Sequence, residues 1–168
     1  PVLDYDSAAG RIGHASAQKI IDYVRAEQLQ VQWLLETHVH ADHLSAAAYL
    51  QTQLGGRLGI GAQIGVVQTS FAKLFNVEAS FACDGSQFDQ LFADGSRFKV
   101  GELTVHVLHT PGHTPACLTY LVGDAAFIGD TLFMPDYGTA RCDFPGGDAR
   151  ALYRSIQKIF ALPAATRL

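Results

Sequence analysis

Apolar and polar positions alternate along this chain in two rhythms, one helical and one extended. In "SAQKIIDYVRAEQLQ", 16–30, Ile20, Ile21, Val24 and Leu29 recur at roughly helical spacing behind Ser16, which predicts a helix with a serine N-cap. "VQWLLET", 31–37, is short, apolar and partly β-branched, and predicts a buried strand. "HLSAAAYLQTQLGG", 43–56, predicts a helix closed by Gly55 and Gly56, followed by a strand in "RLGIGA" and a helix in "IGVVQTSFAKLFN". The stretch 81–94 reads as a polar and aromatic connection.

Beyond it the character changes. "RFKVG", "LTVHVLHT", "ACLTYLVG" and "AAFIGD" are strand-like runs separated by turns, 135–148 is a Gly/Pro-punctuated loop, and "ARALYRSIQKIFAL" is an amphipathic helix. Helices and strands mix without strict alternation, so a layered α/β sandwich over one domain, 1–168, is expected rather than a doubly wound sheet. The opening "PVLDYD" reads as the tail of a strand, and "LPAATRL" as a helix end leading into another. The sandwich is therefore expected to be incomplete at both ends of this sequence, as part of a longer protein.

Composition narrows the function. Across 168 residues, 48% hydrophobic, no apolar run reaches the ~20 residues of a membrane-spanning helix, and a net charge of −4 with scattered Lys and Arg lacks the footprint of a nucleic-acid binder. Cys83, Cys117 and Cys142 are odd in number and far apart, which argues against a disulfide framework and for a reducing, cytoplasmic setting. Cys117 sits in an apolar run, where a buried inert thiol is expected.

The histidines carry the chemistry. "THVHADH" places His38 and His40 two apart just after a predicted strand, so both can face one point, and Asp42 and His43 follow where the next helix is expected to begin. "HTPGHT" puts His113 in a Pro-Gly turn after a strand, and "FIGDTLF" puts Asp130 after another. Asp130 alone would read as a turn residue, and His109 or His113 alone as a loop brace. Three strand ends offering imidazole and carboxylate together predict a metal centre. His14 and His106 have no such company and are assigned to packing.

"THVHADHL", "HTPGHT" and "GDTLF", in that order, resemble the metallo-β-lactamase fold, an αββα sandwich, over nearly the whole chain. The fold hosts many reactions, so it does not by itself name one. "HTPGHTPACLTYLVGDAAFIGDTLF" followed by "GTARCDFPGG" looks like the persulfide dioxygenase branch, with glyoxalase II as its sister group. That resemblance implies one Fe(II) per chain held by His38, His113 and Asp130, with glutathione persulfide and O2 as substrates. His40, Asp42 and His43 would then surround the metal or hold a second one. It suggests Arg141 and Tyr137 at the pocket rim as substrate-binding residues, and a homodimer is allowed for. A glyoxalase II-like thioester hydrolase with Zn(II) or a dinuclear site is the alternative, and a non-catalytic metal-binding domain the next. The resemblance also implies a further histidine beyond Leu168.

Overall fold

A computed structural model describes residues 1–39 and 42–168. The chain opens with a hairpin of β1 (Asp4–Asp6) and β2 (Arg11–Gly13), followed by helix α1 (Ala15–Ala26). Strand β3 (Trp33–Leu35), helix α2 (Ala47–Leu54), strand β4 (Arg57–Gly61), helix α3 (Ile64–Leu74) and strand β5 (Gln90–Phe92) come next. Strands β6 (Arg97–Val100), β7 (Leu103–His109), β8 (Leu118–Val122) and β9 (Ala125–Phe127) then run consecutively. A 3-10 turn, Gly129–Thr131, and helix α4 (Ala149–Phe160) complete the order among the described residues.

Two sheets result. β3, β4 and β5 pair in parallel with β4 central, as the helical crossovers α2 and α3 require. β6 to β9 form an antiparallel meander. Phe92 from the first sheet packs with Val105, Val107, Leu118 and Tyr120 from the second, and Trp33 and Leu35 close over them. Each such side chain, fully buried, stabilises by ~1.5–3 kcal/mol, so this shared layer holds the sheets face to face. Trp33 Nε1 donates to the Lys99 carbonyl at 3.0 Å, and the Tyr120 hydroxyl donates to that of Glu36 at 3.0 Å, joining the sheets by polar contacts as well. The mixed α/β sandwich expected from the sequence is present.

Local differences have identifiable causes. Helix α1 stops at Ala26, because Gln28 takes a left-handed conformation with φ of 52°. Leu29 consequently falls outside the helix and is exposed, while Ala17 and Ile21 carry the buried face. Ser16 is not the cap. Its amide and hydroxyl both donate to the Asp4 carboxylate twelve residues earlier, so β1 caps α1 from a distance. That pairing, chiefly the serine hydroxyl, holds the Asp4 carboxyl below its ordinary range. Strand β5 lies inside the stretch read as a connection; three residues are too few to show a period, and β4 recruits them. No helix among the described residues is long and apolar enough to cross a membrane.

Candidate metal centre

Each of the three strand-end segments is fixed by contacts to another element. Leaving β3, the Thr37 carbonyl accepts from the Leu118 amide of β8 at 2.8 Å, which pins the residue before His38 to the opposite sheet. Between β7 and β8, the Thr110 amide donates to the Cys117 carbonyl at 3.0 Å and closes the loop that carries His113. Helix α4 then clamps that loop from outside. Ser155 Oγ donates to the Pro111 carbonyl at 2.7 Å, Lys158 Nζ to that of His109 at 2.8 Å, and the Asp148 amide to that of Gly112 at 2.9 Å. Gly112 has φ of 143°, and a Cβ there would meet the Leu152 backbone at 2.4 Å, so only glycine lets α4 come this close.

Asp130 sits in the 3-10 turn after β9. Its neighbour Gly129 has φ of 52° and abuts Thr37, where an added Cβ would stand 2.5 Å from the hydroxyl. On the other side, the Thr131 hydroxyl reaches that of Thr110, which is 3.1 Å from the Thr119 hydroxyl. This buried threonine set ties the aspartate turn to β7 and β8.

These anchors bring three side chains to one point. His38 Nε2 lies 3.6 Å and His113 Nε2 3.7 Å from Asp130 Oδ2, with the two rings edge to face at 5.1 Å. One ligand atom from each residue falls within 4.8 Å of the other two. A cation about 2.1 Å from each donor needs donors roughly 3–3.5 Å apart, so the set accommodates one ion with little adjustment. His38 and His113 are 1% and 7% exposed, whereas a third of the Asp130 side chain is open, which places the solvent side of the group at the carboxylate.

Hydrogen bonding directs both rings. His113 Nδ1 is 2.6 Å from the Arg141 carbonyl, which can only accept, so Nδ1 carries the proton and Nε2 presents its lone pair to the group. His38 Nδ1 lies 3.0 Å from Thr37 Oγ1; with the proton on Nδ1 it donates to that hydroxyl and leaves Nε2 equally available. Two imidazole nitrogens and a carboxylate oxygen, oriented in this way, form a donor set suited to iron or zinc.

The other sequence candidates divide. Asp42 and His43 pair with each other at 3.2 Å, with 83% of the Asp42 side chain exposed, and neither belongs to the three-residue group. Asp42 also lies five positions ahead of α2; Ser45 Oγ instead accepts the Ala47 amide at 3.0 Å. His40 lies outside the described residues. Arg141 is exposed, forms a double hydrogen bond to Asp143 at 2.6 and 2.8 Å, and lies over the Phe144 ring at 4.7 Å. Tyr137 is exposed and lines a separate apolar depression with Phe133 and Met134. His109 braces its loop through the Pro115 carbonyl at 2.8 Å, and His14 packs against Tyr49. Cys117 is buried, which pushes its thiol up and keeps it protonated. Sequence reasoning missed Thr37, the Arg141 carbonyl and the α4 clamp; of these, only Thr37 had a signal, its place directly before His38.

The profile of the metallo-beta-lactamase superfamily matches residues 5–168. The chain belongs to the metallo-beta-lactamase superfamily. It is 59% identical to "Probable metallo-hydrolase BURPS1710b_2304" of Burkholderia pseudomallei, over 99% of this chain and 60% of that one. "Glyoxylase B2" of Dictyostelium discoideum is 48% identical over 99% of this chain and 58% of its own length. "Persulfide dioxygenase ETHE1, mitochondrial" of Bos taurus is 32% identical over 88% of this chain and 51% of its own. The chain therefore spans about half to three fifths of these relatives. Among solved structures, ETHE1 from Myxococcus xanthus superposes with a TM-score of 0.71 at 28% identity, covering 98% of this chain and 66% of that one. The order of metallo-beta-lactamase elements explains why three separate strand ends meet: the donors sit on the same rim of two packed sheets.

Proposed function

We propose that this chain carries the catalytic site of a mononuclear iron persulfide dioxygenase, which oxidises glutathione persulfide with O2 to sulfite and glutathione. The observation that carries the reading is the composition of the group: His38, His113 and Asp130 converge, while Asp42 lies in solvent paired with His43. A two-metal hydrolase would draw on those residues to hold its second ion. Likeness to the persulfide dioxygenase and to the ETHE1 structure supports the same reading.

Iron held by these three side chains would supply electrons to O2 and a Lewis-acidic position for the outer sulfur. The chain's own part is orientation and exclusion. The Arg141 carbonyl holds the His113 proton on Nδ1, Thr37 braces His38, and burial of both rings keeps water from the imidazole side. Asp130 leaves the open approach. Arg141, beside Phe144, offers a cation to the carboxylates of glutathione.

The identity to Glyoxylase B2 favours one second reading, a metal-dependent thioester hydrolase. The two are separated by loading the full-length protein anaerobically with Fe(II). O2 consumption and sulfite release with glutathione persulfide are then measured beside hydrolysis of lactoylglutathione. Sulfite at a useful rate without thioester cleavage supports the dioxygenase; thioester cleavage alone reverses the assignment.

A further inference from the structure

The metal group adjoins two cavities, one at His38 and one at His113. On the His38 side, about 390 Å³ is lined by Glu36, His43 and Ser45 among apolar side chains such as Leu44 and Leu58. On the His113 side, about 450 Å³ is bounded by Val67, Gln68, Phe71, Ala72 and Phe75 of α3 and its end, and by Phe81 and Phe144. Val39 and Phe88 line both and form the partition between them. The apolar side is built by helix periodicity: Ile64 and Val67 on α3 enter the core, and Phe71 and Phe75 continue the same stripe outward over the cavity.

We infer that the His113-side cavity binds the hydrocarbon group of an alkyl or aryl persulfide, so that this site takes apolar persulfides as well as glutathione persulfide. The inference rests on the persulfide reading above and adds a substrate class to it. His113 and Thr114 form part of the cavity wall, so a ligand whose outer sulfur reaches the metal group can lay its substituent here. A glutathionyl group carries carboxylates and an ammonium, which are costly to desolvate against Phe71, Phe75 and Phe81 and so stay toward the rim where Arg141 lies over Phe144. A hydrocarbon has no such cost, and the volume lies in the range of small-molecule sites. Phe75 is two-thirds exposed and gains burial from such a ligand. The reaction balances as RSSH + O2 + H2O giving RSH + sulfite + two protons. The outer sulfur is oxidised, O2 accepts the four electrons, and the product thiol leaves with the substituent still in the cavity.

Product thiols test this without turnover. Ethanethiol, butanethiol and hexanethiol are titrated calorimetrically into the Fe(II)-loaded full-length protein under argon. Affinity is expected to rise about fourfold per added methylene. Ala72→Trp, which fills the cavity, should flatten that series while iron content holds. Phe75→Asp, at an exposed position, should weaken hexanethiol more than ethanethiol and serves if the tryptophan variant does not fold. Equal affinity across the series overturns the inference, as does a chain-length effect that survives both variants. A chain-length effect together with no sulfite from any persulfide upholds the cavity and sinks the dioxygenase reading instead.

Discussion

His113 donates from Nδ1 to the backbone carbonyl of Arg141, 28 residues later, at 2.6 Å, so the loop carrying one candidate ligand is steered by the main chain of another loop. The Arg141 side chain plays no part in that bond. It turns outward to Asp143 and the Phe144 ring.

That division predicts a split phenotype. Arg141→Ala keeps the carbonyl and should retain full metal content, while raising KM for glutathione persulfide several-fold with kcat nearly unchanged. Loss of metal in this variant, measured by elemental analysis, would mean that the side chain holds the loop in place.

Removing a converging donor should act differently. His38→Ala, His113→Ala and Asp130→Ala are each expected to lose most bound metal and activity while keeping the far-UV spectrum of the parent. Full metal content and unchanged turnover in His113→Ala would refute the ligand assignment.

Asp42 gives the contrasting case. With its side chain 83% exposed and paired to His43, Asp42→Ala should leave metal stoichiometry at one per chain. Groups around a metal site typically tune affinity or activity by about 10- to 100-fold, which bounds the expected loss. Two ions per chain in the parent, falling to one in this variant, would favour the hydrolase.

Gly112→Ala should be among the most damaging single-methyl additions. The new Cβ meets the Leu152 backbone at 2.4 Å, in a conformation that L-residues rarely adopt. A loss of roughly 2–3 kcal/mol is expected in urea unfolding, along with weaker metal binding as α4 is pushed from the His113 loop.

The α4 cap carries a pH signature. Asp148 accepts from the Ala151 and Arg150 amides, which hold its carboxyl below the ordinary 3.8. A depressed folded value means the contribution is whole above that pH and fades as pH falls below it through the folded value. Asp148→Asn, still a good cap, should melt with a flatter dependence below about pH 4 than the parent. Parallel melting curves for the two proteins in that range would argue against it.

Element order from β3 onward, apart from β5 and the 3-10 turn, was legible in the residue pattern, and so were the three loops able to offer donors. Both are local: a period shows within one segment, and a His or Asp at a strand end is visible without its neighbours. Which donors meet depends on tertiary packing. Asp42 and His43 lie only four and five positions from His38, yet the ligand-type atoms that converge on it come from residues 75 and 92 positions away. That convergence depends on the packing of two sheets, on Gly129 against Thr37, and on α4 pressed against the His113 loop. Asp4 capping α1 and the Arg141 carbonyl orienting His113 belong to the same class. Each joins chain segments whose separation no periodicity encodes, and each forms only when core burial has brought them together.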